Sequence, residues 1–122
     1  MEIEINGFVP VNGTGTISLN DNTFRDVQVF GYFSFERWMF FVHQECLHEN
    51  CFTVSEASTG CRIDDFYYTD IDYAVERAIK RLKEKRYYIE TQVRNWRVYH
   101  KINLQLRNTI NLQILAIDSL WI

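Results

Sequence analysis

The stretch that most limits what this chain can become is Thr69 to Trp96. Ile71, Val75, Ala78, Ile79 and Leu82 recur at intervals of three and four, with Ala74 beside them, which places them on one side of a helix. Ala, Glu, Lys, Arg and Leu fill the run, so propensity agrees with spacing. Thr69, followed three residues later by Asp72, has the spacing of a capping box. The opposite side carries Glu76, Arg77, Lys80, Arg81, Lys83, Glu84, Lys85 and Arg86. The expectation is a long amphipathic helix over 70–85. Ile89, Val93 and Trp96 resume helical spacing, either as a continuation or as a second packed helix. An apolar stripe of this length must be covered.

The preceding chain supplies the cover, because its apolar residues alternate with period two. Glu2-Ile3-Glu4-Ile5, Thr16 to Leu19, Arg25 to Phe33 and Glu36 to Glu45 read as strands. In the last of these, Trp38, Phe40 and Val42 share one face, and Met39, Phe41 and His43 the other. Asn12-Gly13-Thr14-Gly15 and Asn20-Asp21-Asn22 read as turns, and Gly31 to Phe35 as a tight connection. Asn50 to Ala57 and Cys61 to Tyr68 form a hairpin around Ser58-Thr59-Gly60. The expected fold is therefore α+β: an antiparallel sheet of four to five strands over roughly 2–68, packed on the helix, with a further helical segment at the C-terminal end. At 122 residues this is one domain, sheet-rich over 1–68 and helix-rich over 69–122.

The tail holds a small repeat. Ile102-Asn103-Leu104-Gln105-Leu106 recurs as Ile110-Asn111-Leu112-Gln113-Ile114. Helix is favoured over hairpin there. Ile102, Leu106, Ile110, Ile114, Ile117 and Trp121 exceed the apolar surface that one sheet obviously covers, which suggests a homodimer through the C-terminal half. No stretch reaches the ~18 to 20 apolar residues of a membrane span. Three cysteines do not suit a closed disulfide framework, and a cytoplasmic location is expected.

Charge is segregated along the chain. Residues 1–69 hold ten acids and three arginines, a net of −7, while residues 70–122 hold ten basic and six acidic residues, a net of +4. The acidic part, rich in aromatic rings, suits a basic protein partner, including one that handles nucleic acid. Its candidate contact residues are Glu56, Asp64, Asp65, Tyr67 and Tyr68. The alternative is direct nucleic-acid binding through the basic surface of 77–107, using Arg77, Lys80, Arg81, Lys85, Arg94 and Arg97. No zinc finger, RRM signature or GXXG loop accompanies that surface.

No catalytic set converges in the sequence, so no enzyme and no cofactor are expected. Ser55 and Ser58 lack a strand-to-helix elbow, and nothing sets the separation of two carboxylates. The one candidate metal set is His43, Cys46, His48 and Cys51. Two thiolates and two imidazoles suit tetrahedral zinc, but the H-x2-C-x-H-x2-C spacing is not that of a finger or knuckle. No required metal is expected.

The strand ending at Thr59-Gly60, the strand after it and the capped Ala-rich helix, over Asn50 to Leu82, resemble an arrangement in small proteins of phages and plasmids. Some of those inhibit host defence nucleases by occupying their nucleic-acid channels. The resemblance transfers no functional residue. It implies a mobile-element inhibitor of a host protein as the sharper form of the protein-binding expectation.

Overall fold

The computed structural model describes residues 8–19, 23–35, 38–45, 48, 50–63, 67–98, 104 and 108. Four strands lie among them: β1 (Val9–Ser18), β2 (Phe24–Phe35), β3 (Trp38–Gln44) and β4 (Phe52–Glu56). They form one antiparallel sheet in the order β1-β2-β3-β4. Two helices follow, α1 (Ile71–Glu84) and α2 (Arg86–Val98).

No fifth strand forms among the described residues. The segment expected to pair along β4 does so only at two isolated bridges, Ser55 to Arg62 and Phe52 to Tyr68. Between them β4 advances three residues and the returning chain six, so the two bridges do not share one register. The expected strand over 2–5 and the expected turn over 20–22 lie outside the described residues. Phe35 pairs with Trp38, so the β2–β3 connection follows Phe35, not Gly31 to Phe35 as the turn chemistry suggested.

Asn12 to Gly15 is not a turn but the middle of β1, where the register slips by one residue between Pro10 and Gly13. Gly15 is needed for another reason. A Cβ there would sit 2.8 Å from Val29 and 3.1 Å from Phe41, so the missing side chain lets the sheet coil tightly over its own face. A second slip, between Val29 and Gly31, leaves Phe30 as an extra residue in β2. It changes which side chains face which layer. Val27 and Val29 point away from the helices, whereas Phe33 and Phe35 point toward them.

Two cores result, one on each face of the sheet. Phe33, Phe40, Val42 and Val54 meet Val75, Ala78, Ile79 and Leu82 of α1 and Ile89 and Val93 of α2. Each fully buried Val, Leu, Ile or Phe contributes about 1.5–3 kcal/mol. On the other face Val11, Ile17, Val27, Val29, Phe41 and Ala57 close together, with Met39 at their margin. The β3 alternation expected from sequence, Phe40 and Val42 against Met39 and Phe41, is the one observed.

The helical stretch is two short helices. The N-cap is Asp70, one residue after Thr69, and its side chain accepts from Tyr73 N at 3.0 Å. At Lys85 the backbone leaves helical geometry, with φ −120° and ψ 30°, and α2 starts at once. Neither Pro nor Gly accounts for the break. α2 is held against β3 partly by Arg97, whose guanidinium lies 6.0 Å from the Trp38 ring centroid. No described helix is long and apolar enough to cross a membrane.

Beyond α2, Leu104 and Asn108 are tied by hydrogen bonds to the turn after β4 and to β1. Leu104 N donates to Ser58 O, and Asn108 N donates to Leu104 O at 2.9 Å, the spacing of one helical turn. All six residues of the expected C-terminal dimer face, Ile102, Leu106, Ile110, Ile114, Ile117 and Trp121, lie outside the described residues.

Candidate protein-contact surface

Of the expected acidic contact residues, the structure describes Glu56 alone, and it is buried. Glu56 is 1% exposed. One carboxylate oxygen accepts from Ser58 N at 2.8 Å and from the Ser58 hydroxyl. The other accepts from Thr59 N at 2.8 Å and Thr59 Oγ1 at 2.7 Å. Four donors surround a carboxylate that no partner can reach, so Glu56 holds the turn after β4. Gly60 completes that turn at φ 70°. A Cβ on it would lie 2.7 Å from Ile17 Cα. Asp64 and Asp65 lie outside the described residues.

Tyr67 and Tyr68 do reach a surface. Tyr67 is 43% exposed and stacks on the His48 ring with centroids 4.3 Å apart. Tyr68, half-buried, meets Tyr73 edge-on at 5.3 Å. Tyr73 is 49% exposed and projects from the first turn of α1. The Tyr68 backbone exchanges hydrogen bonds with Phe52, which ties this ridge to the sheet.

Beside the ridge lies an open groove of about 460 Å³, lined by Phe8, Pro10, Phe30, Phe52 and residues 69–72. Three local features build it. The extra residue in β2 puts Phe30 edge-on to Phe52 at 5.0 Å. Gly31 leaves room for Phe8, since a Cβ there would meet the Phe8 ring at 2.5 Å. The α1 cap then sets two exposed carboxylates, Asp70 and Asp72, on the rim. Sequence reasoning missed Phe8, Phe30, Asp70, Asp72 and Tyr73 as contact residues. Only Tyr73 left a signal, as a large ring on α1 outside the apolar stripe.

The basic set divides. Arg81 Nε donates to Ile63 O at 3.0 Å, Arg94 pairs with Glu90 at 3.1 Å, and Arg97 covers Trp38. Arg77 is half-buried, whereas Lys80 and Lys85 are exposed. Past Lys85 stand Tyr87 and Tyr88, 82% and 62% exposed.

The three described members of the zinc set, His43, His48 and Cys51, do not gather into a metal cluster. His43 is 1% exposed, and both ring nitrogens are engaged: Nδ1 with Gln44 O at 2.9 Å and Nε2 with Ser55 Oγ at 2.7 Å. A carbonyl can only accept, so Nδ1 carries the proton and Nε2 accepts from the Ser55 hydroxyl. Burial pulls the His43 pKa down to about 4, against a smaller opposing effect of the Gln44 carbonyl. His48 faces Tyr67, and Cys51 is a half-buried free thiol. Cys46 lies outside the described residues. No cluster of three or more His, Cys, Asp or Glu among the described residues is placed to hold a metal.

The Ser55–His43 pair has the hydrogen bond of a nucleophile and its base, but Ser55 is 0% exposed. A substrate cannot reach a hydroxyl sealed between the strands, so the pair is a polar clasp between β3 and β4. Burial likewise pushes the Cys61 thiol up to about 11, against thiolate chemistry at neutral pH. No family model, curated protein or solved structure matches the chain.

Proposed function

We propose that this chain is a non-enzymatic protein-binding module whose contact surface is the tyrosine ridge beside the α1 cap. The observation that carries the reading is the placement of Tyr67 and Tyr73, both largely exposed, around half-buried Tyr68 and next to Asp70 and Asp72. Rigid aromatic rings give contact area at low entropic cost, and flanking carboxylates select a basic partner. The sharper form is a phage or plasmid inhibitor that occupies the nucleic-acid channel of a host defence nuclease. It draws on the acidic excess of residues 1–69.

The second reading is direct nucleic-acid binding. It draws on exposed Lys80 and Lys85 with Tyr87 and Tyr88 beside them, a basic strip with rings that can stack bases. One comparison separates the two. Labelled single-stranded and duplex DNA and RNA are titrated with the full chain at low and moderate salt. In parallel, host proteins captured by the chain are quantified for the wild type, for Tyr67→Ala/Tyr73→Ala and for Lys80→Glu/Lys85→Glu. Protein binding predicts capture lost with the tyrosines and kept with the lysine reversals. Salt-sensitive nucleic-acid affinity that the lysine reversals abolish overturns it.

A further inference from the structure

We propose that the groove between Phe8, Phe30, Phe52 and the start of α1 takes a short peptide segment of the partner, in which a bulky apolar side chain is followed within three residues by Lys or Arg. This rests on the protein-binding reading and names the part of the partner that is read.

The floor and rim of the groove differ in chemistry. Phe8, Phe30 and Phe52 line the floor, with Ile71 at the helix side, so an apolar side chain gains burial there. Its volume of about 460 Å³ falls in the range of roughly 300–1,000 Å³ typical of ligand pockets. The rim sits on a helix N-terminus, which by itself attracts anions with roughly half a positive charge. Here Asp70 and Asp72 place two negative charges on the same turn, and Asp70 already returns one oxygen to Tyr73 N. Two carboxylates outweigh half a charge, so the rim is set for a cation. Among the described residues, no basic side chain lines the groove. Lys80 and Lys85 stand two turns or more further along the helical run. The groove continues directly into the ridge, because Phe52 in its floor is bridged to Tyr68. A partner strand or loop that covers Tyr67 and Tyr73 thus passes the groove.

The test uses the full chain and labelled heptapeptides with one Leu, Phe or Trp, followed one to three residues later by Arg, Gln or Glu. Fluorescence anisotropy reads the affinity. The expected result is binding of the apolar-Arg peptides at least tenfold tighter than of the Gln versions, with the Glu versions weakest. Asp70→Asn/Asp72→Asn removes the charge while Asn keeps the cap, since Asn caps helices as well as Asp does. That variant should melt close to the wild type and lose the Arg preference at least tenfold. Failure of every peptide to bind, or an Arg preference unchanged in the double variant, overturns the proposal. Self-association abolished by the same variant also overturns it, by placing a second copy in the groove. If capture of a host protein still depends on Tyr67 and Tyr73 while the peptides fail, the groove proposal falls and the protein-binding reading stands. If capture fails as well, both fall.

Discussion

Asn108 and Thr16, 92 residues apart, exchange a pair of hydrogen bonds as two residues on neighbouring strands would. Asn108 Oδ1 accepts from Thr16 N at 2.9 Å, and Nδ2 donates to Thr16 O at 3.0 Å and to Ala57 O at 2.8 Å. The side chain is fully buried, and only this orientation of the amide matches each donor to an acceptor. Two residues along the edge, Ser18 N donates to Gly60 O at 3.0 Å. Together these contacts close β1 against the turn after β4, across the open side of a four-stranded sheet.

Replacing Asn108 should therefore cost far more than one polar side chain suggests. Asn108→Ala leaves Thr16 N, Thr16 O and Ala57 O without their partner, which predicts a loss of about 2–4 kcal/mol. Asn108→Asp keeps the shape but sets a carboxylate oxygen against two carbonyls, so it should be at least as harmful. Urea unfolding midpoints measure both. A midpoint within error of wild type for Asn108→Asp would show that the side chain does not bridge the strands.

Acid should weaken the fold through His43. Its folded pKa of about 4 lies below the 6.5 of an unfolded histidine, so between those values the unfolded chain binds more protons. Stability from the neutral ring is complete above pH 6.5 and is lost as pH falls toward 4. The full displacement corresponds to about 3 kcal/mol. Glu45, 6% exposed and 3.5 Å from Arg62, lies close by and adds its own field. Thermal melts at pH 7, 5.5 and 4.5 should show the decline, and His43→Gln should remove most of the slope between pH 6.5 and 4.5.

Glu56 should behave as a fold residue and not as a contact residue. Glu56→Gln leaves one amide oxygen to accept two bonds and turns an NH2 group toward the other two donors. Leaving a buried backbone N–H unpaired costs about 1–3 kcal/mol. A lowered melting temperature with unchanged capture of the partner is expected. The reverse pattern, lost capture at full stability, would place Glu56 in the interface.

The contrast between Val75 and Glu56 shows where sequence patterns reach and where they stop. The three-four spacing from Val75 to Leu82 reports a face buried along its whole length, so periodicity alone found it. The β3 alternation was readable for the same reason, because regular strands keep one parity. Phe30 breaks parity by one residue, and no local composition marks the slip. Asn12 to Gly15 carries turn residues, yet Gly15 is there for the close approach of Val29 and Phe41, which only the coiled sheet creates. A charged residue is expected at the surface. The four donors that make burial tolerable for Glu56 all come from Ser58 and Thr59, and take shape only once the turn is tight. Tyr67 and Tyr68 were readable as rings between strand and helix. The groove beside them was not, because it needs the slip at Phe30, the space at Gly31 and the chain at Phe8 at once.

The tie between Thr16 and Asn108 also sets an order of events during synthesis. The first core draws on β2 to β4, α1 and α2, and the second on β1 to β3 with Ala57, all of it made before residue 108. The second core then waits with the Thr16 backbone and Ala57 O open to water until Asn108 has left the ribosome. Loop closure over 92 residues is slow compared with hairpin formation between adjacent strands. While it waits, β1 presents an unpaired edge, the kind of surface on which nascent chains associate. A ribosome stalled before Asn108 is made would hold a sheet with one side still unlocked.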